Sequence, residues 1–172
     1  MGPGSAASNR PRMRSILGAA VATALALGAC GFGATDVAVP ATCTAQVNER
    51  LARLIDEQSA SLVDSVMVCG TTIGPSRPQR RGRRAAHQLI PLRVPLGGGR
   101  SALVEVVTND DLDGRVTAPR GAHVAAYGQY FLTRDRQRPF VAGVHDVHCA
   151  THRGADNGWV VVNGTRFPPN RC

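Results

Sequence analysis

Apolar residues follow two different periods along this chain. Between residues 44 and 59 they recur at helical spacing, which predicts an amphipathic helix with Thr44 as its N-cap. The apolar face of this predicted helix consists of Val47, Leu51, Leu54 and Ile55. Beyond residue 60 the period falls to two, which is typical of β-strands with one buried face. The predicted strands span residues 65–73, 86–94, 101–107, 123–132, 140–148 and 157–163.

Glycine, proline and polar residues separate these strands. Residues 74–84 are predicted to form a loop, and Gly97-Gly98-Gly99 is predicted to form a turn. The polar stretch 109–116 is expected to hold one helical turn after Asn109, and Asn163-Gly164 is a strong hairpin signal. Pro91 falls inside the second strand and indicates an edge or a bulge there, because proline cannot donate to a β-ladder.

The order of these elements predicts the fold class. Three strands, a short non-strand segment and two further strands are the order of an OB-fold barrel. We therefore predict a mostly β protein, a small OB-fold-like barrel of five to six strands preceded by one amphipathic helix. A β-sandwich is the alternative, but it needs more strands than the pattern provides.

The beginning of the chain has the pattern of an export signal. Arginines at 10, 12 and 14 precede an uncharged stretch of 12 residues, 16–27, which is shorter than the roughly 20 residues that span a bilayer. Leu27-Gly28-Ala29-Cys30 then matches the sequence that a lipoprotein signal peptidase recognises. We predict that residues 1–29 are removed and that Cys30 carries diacylglycerol and palmitate, with an ordinary secretory signal as the alternative. Residues 30–43 would be a tether and residues 44–172 the folded domain.

This prediction implies a location and a set of partners. The protein would be lipid-anchored in the cell envelope, on the extracytoplasmic side of a bacterial membrane. Its formal charge is +8 and every basic residue is arginine, so anionic surfaces are candidate partners. The candidate anion-binding residues lie in the predicted 74–84 loop and are Arg77, Arg80, Arg81, Arg83 and Arg84. Anionic lipid or cell-wall polymer is the expected partner, and nucleic acid ranks last because aromatic stacking residues are only 4% of the chain.

Removing Cys30 from the cysteine count leaves an even number in the mature chain. These are Cys43, Cys69, Cys149 and Cys172. Four cysteines in an exported domain predict two disulfides, for which three connectivities are open.

Several motifs resemble a bacterial family of small exported proteins known as domain of unknown function 3465. The motifs are His87-Gln88, Leu103-Val104, Asn109-Asp110-Asp111-Leu112, Tyr127-Gly128-Gln129-Tyr130, the segment from Gly143 to His148, and Gly158-Trp159. The match covers roughly residues 51–167. The resemblance implies an OB-like barrel and brings no known activity with it. Where the family has a third histidine in its His-Trp-Thr-His-His-Asp-Pro strand end, this chain has Cys149.

A cluster of histidines is the main candidate for site chemistry. His145, His148 and His152 lie within eight residues, together with Cys149, and imidazole and thiolate are favoured zinc ligands. On a continuous strand His148 would point away from His145, so a shared metal requires the chain to turn near His148. A disulfide at Cys149 would remove its thiolate. Asp146 or Asp156 could add an oxygen ligand, and Glu105 or Asp110 could act as a general base.

Two functions follow from these features. The favoured interpretation is a membrane-anchored envelope lipoprotein whose OB-like domain is a non-catalytic binding or structural module and needs no cofactor. The alternative is a metal-dependent hydrolase, phosphoester or nuclease-like, centred on His145 and His148, with zinc as its cofactor. The sequence contains no Gly-x-Ser-x-Gly, Gly-Lys phosphate loop or His-Glu-x-x-His motif, so no catalytic residue is assigned.

Overall fold

The computed structural model describes residues 1–2, 37–81, 85–135, 137–169 and 172. Residues 3–29 of the predicted signal, the lipidation site Cys30, and Arg83 and Arg84 lie outside the described residues. The helices are α1, Glu49–Asp56, and α2, Asp110–Asp113. The strands are β1 Val63–Thr72, β2 Arg77–Arg81, β3 Ala85–Gly97, β4 Arg100–Asn109, β5 His123–Leu132, β6 Ala142–His145, β7 Trp159–Val162 and β8 Thr165–Phe167. Within the described residues, no helix is both long and apolar enough to cross a membrane.

Five of the strands close into a barrel, which confirms the predicted OB-like fold. The order around the barrel is β1-β3-β4-β6-β5, and β5 pairs back onto β1. All of these pairs are antiparallel except β4 with β6, where Val104 faces Ala142 and Val106 faces Val144. A five-stranded Greek-key barrel that is antiparallel except for one pair, between its third and fifth strands, is the arrangement of an OB-fold.

Small β-branched side chains fill the barrel interior. Val66 and Val68 of β1, Val104 and Val106 of β4, and Val144 of β6 are all inaccessible to solvent, because alternate strand residues point inward. Leu51 of α1 packs into the same core. The hydroxyl of Tyr130, which is also buried, donates to the carbonyl oxygens of Leu54 at 3.3 Å and Ser59 at 3.2 Å. These bonds fix the end of α1 against the barrel.

Two element boundaries differ from the prediction for identifiable reasons. Helix α1 begins five residues later than predicted, because Asn48 is fully buried and its side chain forms hydrogen bonds with the backbone of Cys69 and Pro95. Thr44 caps only a preceding turn, accepting from the Val47 N–H at 3.3 Å. The predicted strand 140–148 is shortened to β6, because Asp146 takes a left-handed φ of 52° that ends the extended conformation.

The predicted loop 74–84 was wrong in part. Residues 77–81 form β2, which among the described strands pairs only with the first half of β3. An edge strand such as β2 tolerates Pro78. Arg77 is exposed, and β2 shows no alternation of apolar and polar residues. The sequence therefore carried no strand signal here.

Two disulfides join the four cysteines, which confirms the predicted number and resolves the connectivity. Cys43 is bonded to Cys69, and Cys149 to Cys172. The loops they close span 26 and 23 residues in sequence. In the chain-entropy account a loop of this length contributes about 3 kcal/mol by restricting the unfolded chain.

Candidate functional site

A tight turn after β6 sets the position of the histidine cluster. Asp146 is the left-handed residue of this turn, and the next residue, Val147, is buried in the barrel core. Two glycines face the turn: a Cβ atom on Gly128 would overlap the carbonyl oxygen of His145, and one on Gly158 would overlap that of Asp146. The Gly158 N–H also donates to the His148 carbonyl oxygen at 2.7 Å. The turn is therefore held closely from both sides.

This turn brings two histidines to one carboxylate. Asp146 Oδ1 lies 3.1 Å from His145 Nδ1 and 3.7 Å from His148 Nε2. His148 Nδ1 lies 2.9 Å from the Cys149 carbonyl oxygen, and it must be the donor because a carbonyl oxygen only accepts. The side chain of His148 is only 14% exposed, so its ring is fixed with Nε2 toward Asp146.

The two histidines line a cavity of about 320 Å³. His87 at the start of β3 and Asn109 at the end of β4 are paired residues, and both reach the cavity. Phe131 meets the His145 ring edge-on, with ring centroids 5.2 Å apart. The remaining lining residues are Leu62, Val107 and Asp146. The cavity thus combines three imidazoles and a carboxylate with an apolar wall, and its size suits part of a small ligand.

A second cavity, of about 430 Å³, shares Phe131 with the histidine cavity. It lies between β2 and the segment after β5, and it is lined by Gln79, Glu105, Leu132, Thr133, Arg134, Asp135 and Arg138. Arg138 pairs with the buried Glu105 at 3.2 Å and with Asp135 at 3.3 Å. Glu105 is therefore engaged in an ion pair with Arg138, and the hypothesis that it serves the histidines as a base loses support.

A buried carboxylic acid, Asp113, lies near His148 of the histidine cluster. Asp113, at the end of α2, is 1% exposed, and its Oδ2 accepts from the Asn109 N–H at 2.6 Å. Its Oδ1 has no hydrogen-bond partner among the described residues. Burial raises the pKa of Asp113 to about 6, and the bond from Asn109 and the nearby His148 oppose this rise. Asp110 is tied instead to Gln88, whose Nε2 donates to it at 3.0 Å.

The other predicted metal ligands lie elsewhere. His152 is exposed beside its neighbour's carbonyl oxygen, and Cys149 is unavailable as a thiolate because of its disulfide. Asp156 accepts a hydrogen bond from Ser65. Among the described residues, only Cys43, Cys69 and His123 bring three metal-binding atoms within 4.8 Å of one another. The three histidines 145, 148 and 152 therefore do not form a preformed ligand set.

The structure describes three of the five candidate anion-binding arginines. Three of these arginines, Arg77, Arg80 and Arg81, belong to edge strand β2, and the side chain of Arg77 is exposed.

Sequence reasoning did not assign His87, Phe131 or Asp113 to a site. His87 becomes recognisable only through its register with Asn109, since the two are 22 positions apart in the chain.

Comparisons with protein-family models, with curated proteins and with solved structures gave no match.

Proposed function

We propose that this chain is a lipid-anchored envelope lipoprotein whose OB-like barrel is a non-catalytic module that binds a segment of cell-wall polymer. The observation that carries the binding role is the pair of cavities that share Phe131 as a lining residue. OB-fold barrels bind oligosaccharides and oligonucleotides between the loops that border this part of the barrel. The anchor at Cys30 supports the choice of polymer, because it would hold the barrel beside the wall.

The chemistry of the two cavities fits a polar chain with many hydroxyl groups. One cavity offers imidazoles and Asn109, and the other offers the amide of Gln79 and the Arg138 guanidinium. Phe131 between them supplies an apolar face on which a sugar ring can stack. Exposed Arg77 on β2 adds positive charge that would favour an anionic polymer or an anionic lipid surface.

The expected test result is that Phe131→Ala weakens binding to isolated cell walls. The full chain carrying Cys30→Ser would be used, and cosedimentation with purified walls would give the affinity. Loss of a central aromatic contact costs about 2 kcal/mol, which corresponds to a roughly 30-fold loss of affinity. Phe167→Ala is the matched control, because Phe167 is also half-buried but lines neither cavity. Equal binding by both variants, or no binding by the parent, would refute the proposal.

A metal-dependent phosphoester hydrolase is the second candidate, and the shared carboxylate of Asp146 favours it. A histidine that binds zinc through one ring nitrogen usually donates from the other, as His148 Nδ1 does here. His145, Asp146 and His148 would supply three donors of the types zinc accepts, although they must converge further to do so. Bound zinc would supply an activated water; the chain's own residues would hold and orient it.

Zinc titration of the non-reduced protein separates the two candidates. If the second is right, calorimetry detects one zinc ion, and the protein hydrolyses bis(p-nitrophenyl) phosphate in its presence. His148→Ala would then lower zinc affinity by at least about tenfold, whereas His152→Ala would leave it unchanged. Absence of zinc binding by the parent protein would eliminate the hydrolase.

A further inference from the structure

A histidine lies directly against the Cys43–Cys69 disulfide. His123 Nε2 is 3.1 Å from Cys43 Sγ and 3.7 Å from Cys69 Sγ. The three residues come from different elements: Cys43 precedes α1, Cys69 lies in β1, and His123 begins β5. Pairing of β1 with β5, in which Thr71 faces His123, sets the distance between the last two. Their proximity is thus built into the barrel wall.

The position of His123 is fixed by its backbone. Its N–H donates to Asn163 Oδ1 at 2.9 Å, and its carbonyl oxygen accepts from the Asn163 N–H at 2.9 Å. Cys69 is fully buried in a second apolar cluster with Ala125, Trp159 and Val161, apart from the barrel core. Cys43 and His123 are half-buried, so a reagent can reach the disulfide from the Cys43 side.

Two backbone carbonyl oxygens lie near the sulfur of Cys43. The carbonyl oxygens of Gly70 and Val124 lie 3.7 Å and 3.8 Å from its sulfur. In the reduced protein these oxygens could accept a hydrogen bond from the Cys43 S–H group.

We propose that Cys43, Cys69 and His123 form a redox-controlled site for a thiophilic metal ion such as zinc. Tetrahedral zinc holds sulfur at about 2.3 Å and imidazole nitrogen at about 2.0 Å, which places the ligands roughly 3.5 Å apart. The His123 nitrogen already lies near that distance from both sulfurs. Only separation of the two sulfurs is needed to admit the ion. In the oxidised state the disulfide ties the segment before α1 to the barrel, and in the reduced state the metal takes over that connection.

The conversion requires an external dithiol. One thiolate of the dithiol attacks Cys43 Sγ, the Cys43–Cys69 bond breaks, and Cys69 leaves as a thiolate that takes up a proton. The second thiol of the reductant then displaces Cys43, so the protein ends with two thiols and the reductant ends as a disulfide. Zinc binding replaces the two thiol protons, which pass to solvent.

The experiment uses the full chain carrying Cys30→Ser, Cys149→Ala and Cys172→Ala, so that only one disulfide can be reduced. After reduction with a dithiol and its removal without oxygen, titration against a zinc chelator should show one tight site, absent from the oxidised protein. Cobalt in place of zinc should give a sulfur-to-metal charge-transfer band. His123→Ala should weaken the site at least about tenfold, since it removes one of three ligands.

His152→Ala is the matched control and should leave the affinity unchanged. Circular dichroism covers the case in which reduction unfolds the protein, because binding would then restore the β spectrum when zinc is added. Equal zinc binding by oxidised and reduced protein would overturn the proposal. So would a reduced protein that binds no zinc, or one that zinc leaves unfolded.

Discussion

Serine in place of Cys30 is expected to abolish incorporation of labelled palmitate and to release the protein from the membrane fraction. The thiol of Cys30 is the acceptor for diacylglycerol in the predicted pathway, and a serine hydroxyl is a far weaker nucleophile. Acyl chains hold a protein at a membrane by about 0.8 kcal/mol per buried CH₂ group, so losing them removes the anchor entirely. Metabolic labelling of bacterial cells and fractionation would measure both effects.

Cys172→Ser is the control for this experiment. It also removes one cysteine, but from the Cys149–Cys172 disulfide. We expect it to keep the label and the membrane location while lowering the free energy of unfolding. Retention of palmitate after Cys30→Ser would show that the anchor prediction is wrong and that another residue is acylated.

Local patterns in the sequence were sufficient to predict most of the barrel. The predicted strand 123–132 agrees with β5 at both ends, because its alternation is regular and turn residues bound it. The helical turn after Asn109 is α2, and the Asn109 side chain caps it by accepting from the Asp111 N–H. The order of these elements along the chain then limited the topology to an OB-like barrel.

The candidate site was less predictable because it depends on register between distant strands. The histidine pair was recognised from composition, but the turn at Asp146 that joins His145 to His148 depends on two glycines in other strands or loops. His87 enters the cavity through its pairing with Asn109, and the contact between His123 and Cys43 spans 80 positions. Periodicity records which face a residue occupies, and it carries no information about its neighbour across the sheet.

Replacing Asp113 with asparagine is expected to stabilise the protein above pH 6 and to change its stability little near pH 4. Burial raises the pKa of Asp113 in the folded protein to about 6 from its ordinary 3.8. Between these values the folded state binds more protons than the unfolded state, so stability falls as pH rises through this window and stays lower above it. The loss corresponds to roughly 2 to 3 kcal/mol.

Asparagine removes this loss because it has no charge to desolvate, while its side-chain oxygen can still accept from the Asn109 N–H. Urea unfolding of both proteins at several pH values from 4 to 8 gives the difference in free energy, which should grow over the titration window. Asp111→Asn, on the exposed side of the same helical turn, is the matched control and should give a small difference with little dependence on pH. If Asp113→Asn and its parent keep parallel pH profiles, the buried carboxyl does not titrate as proposed.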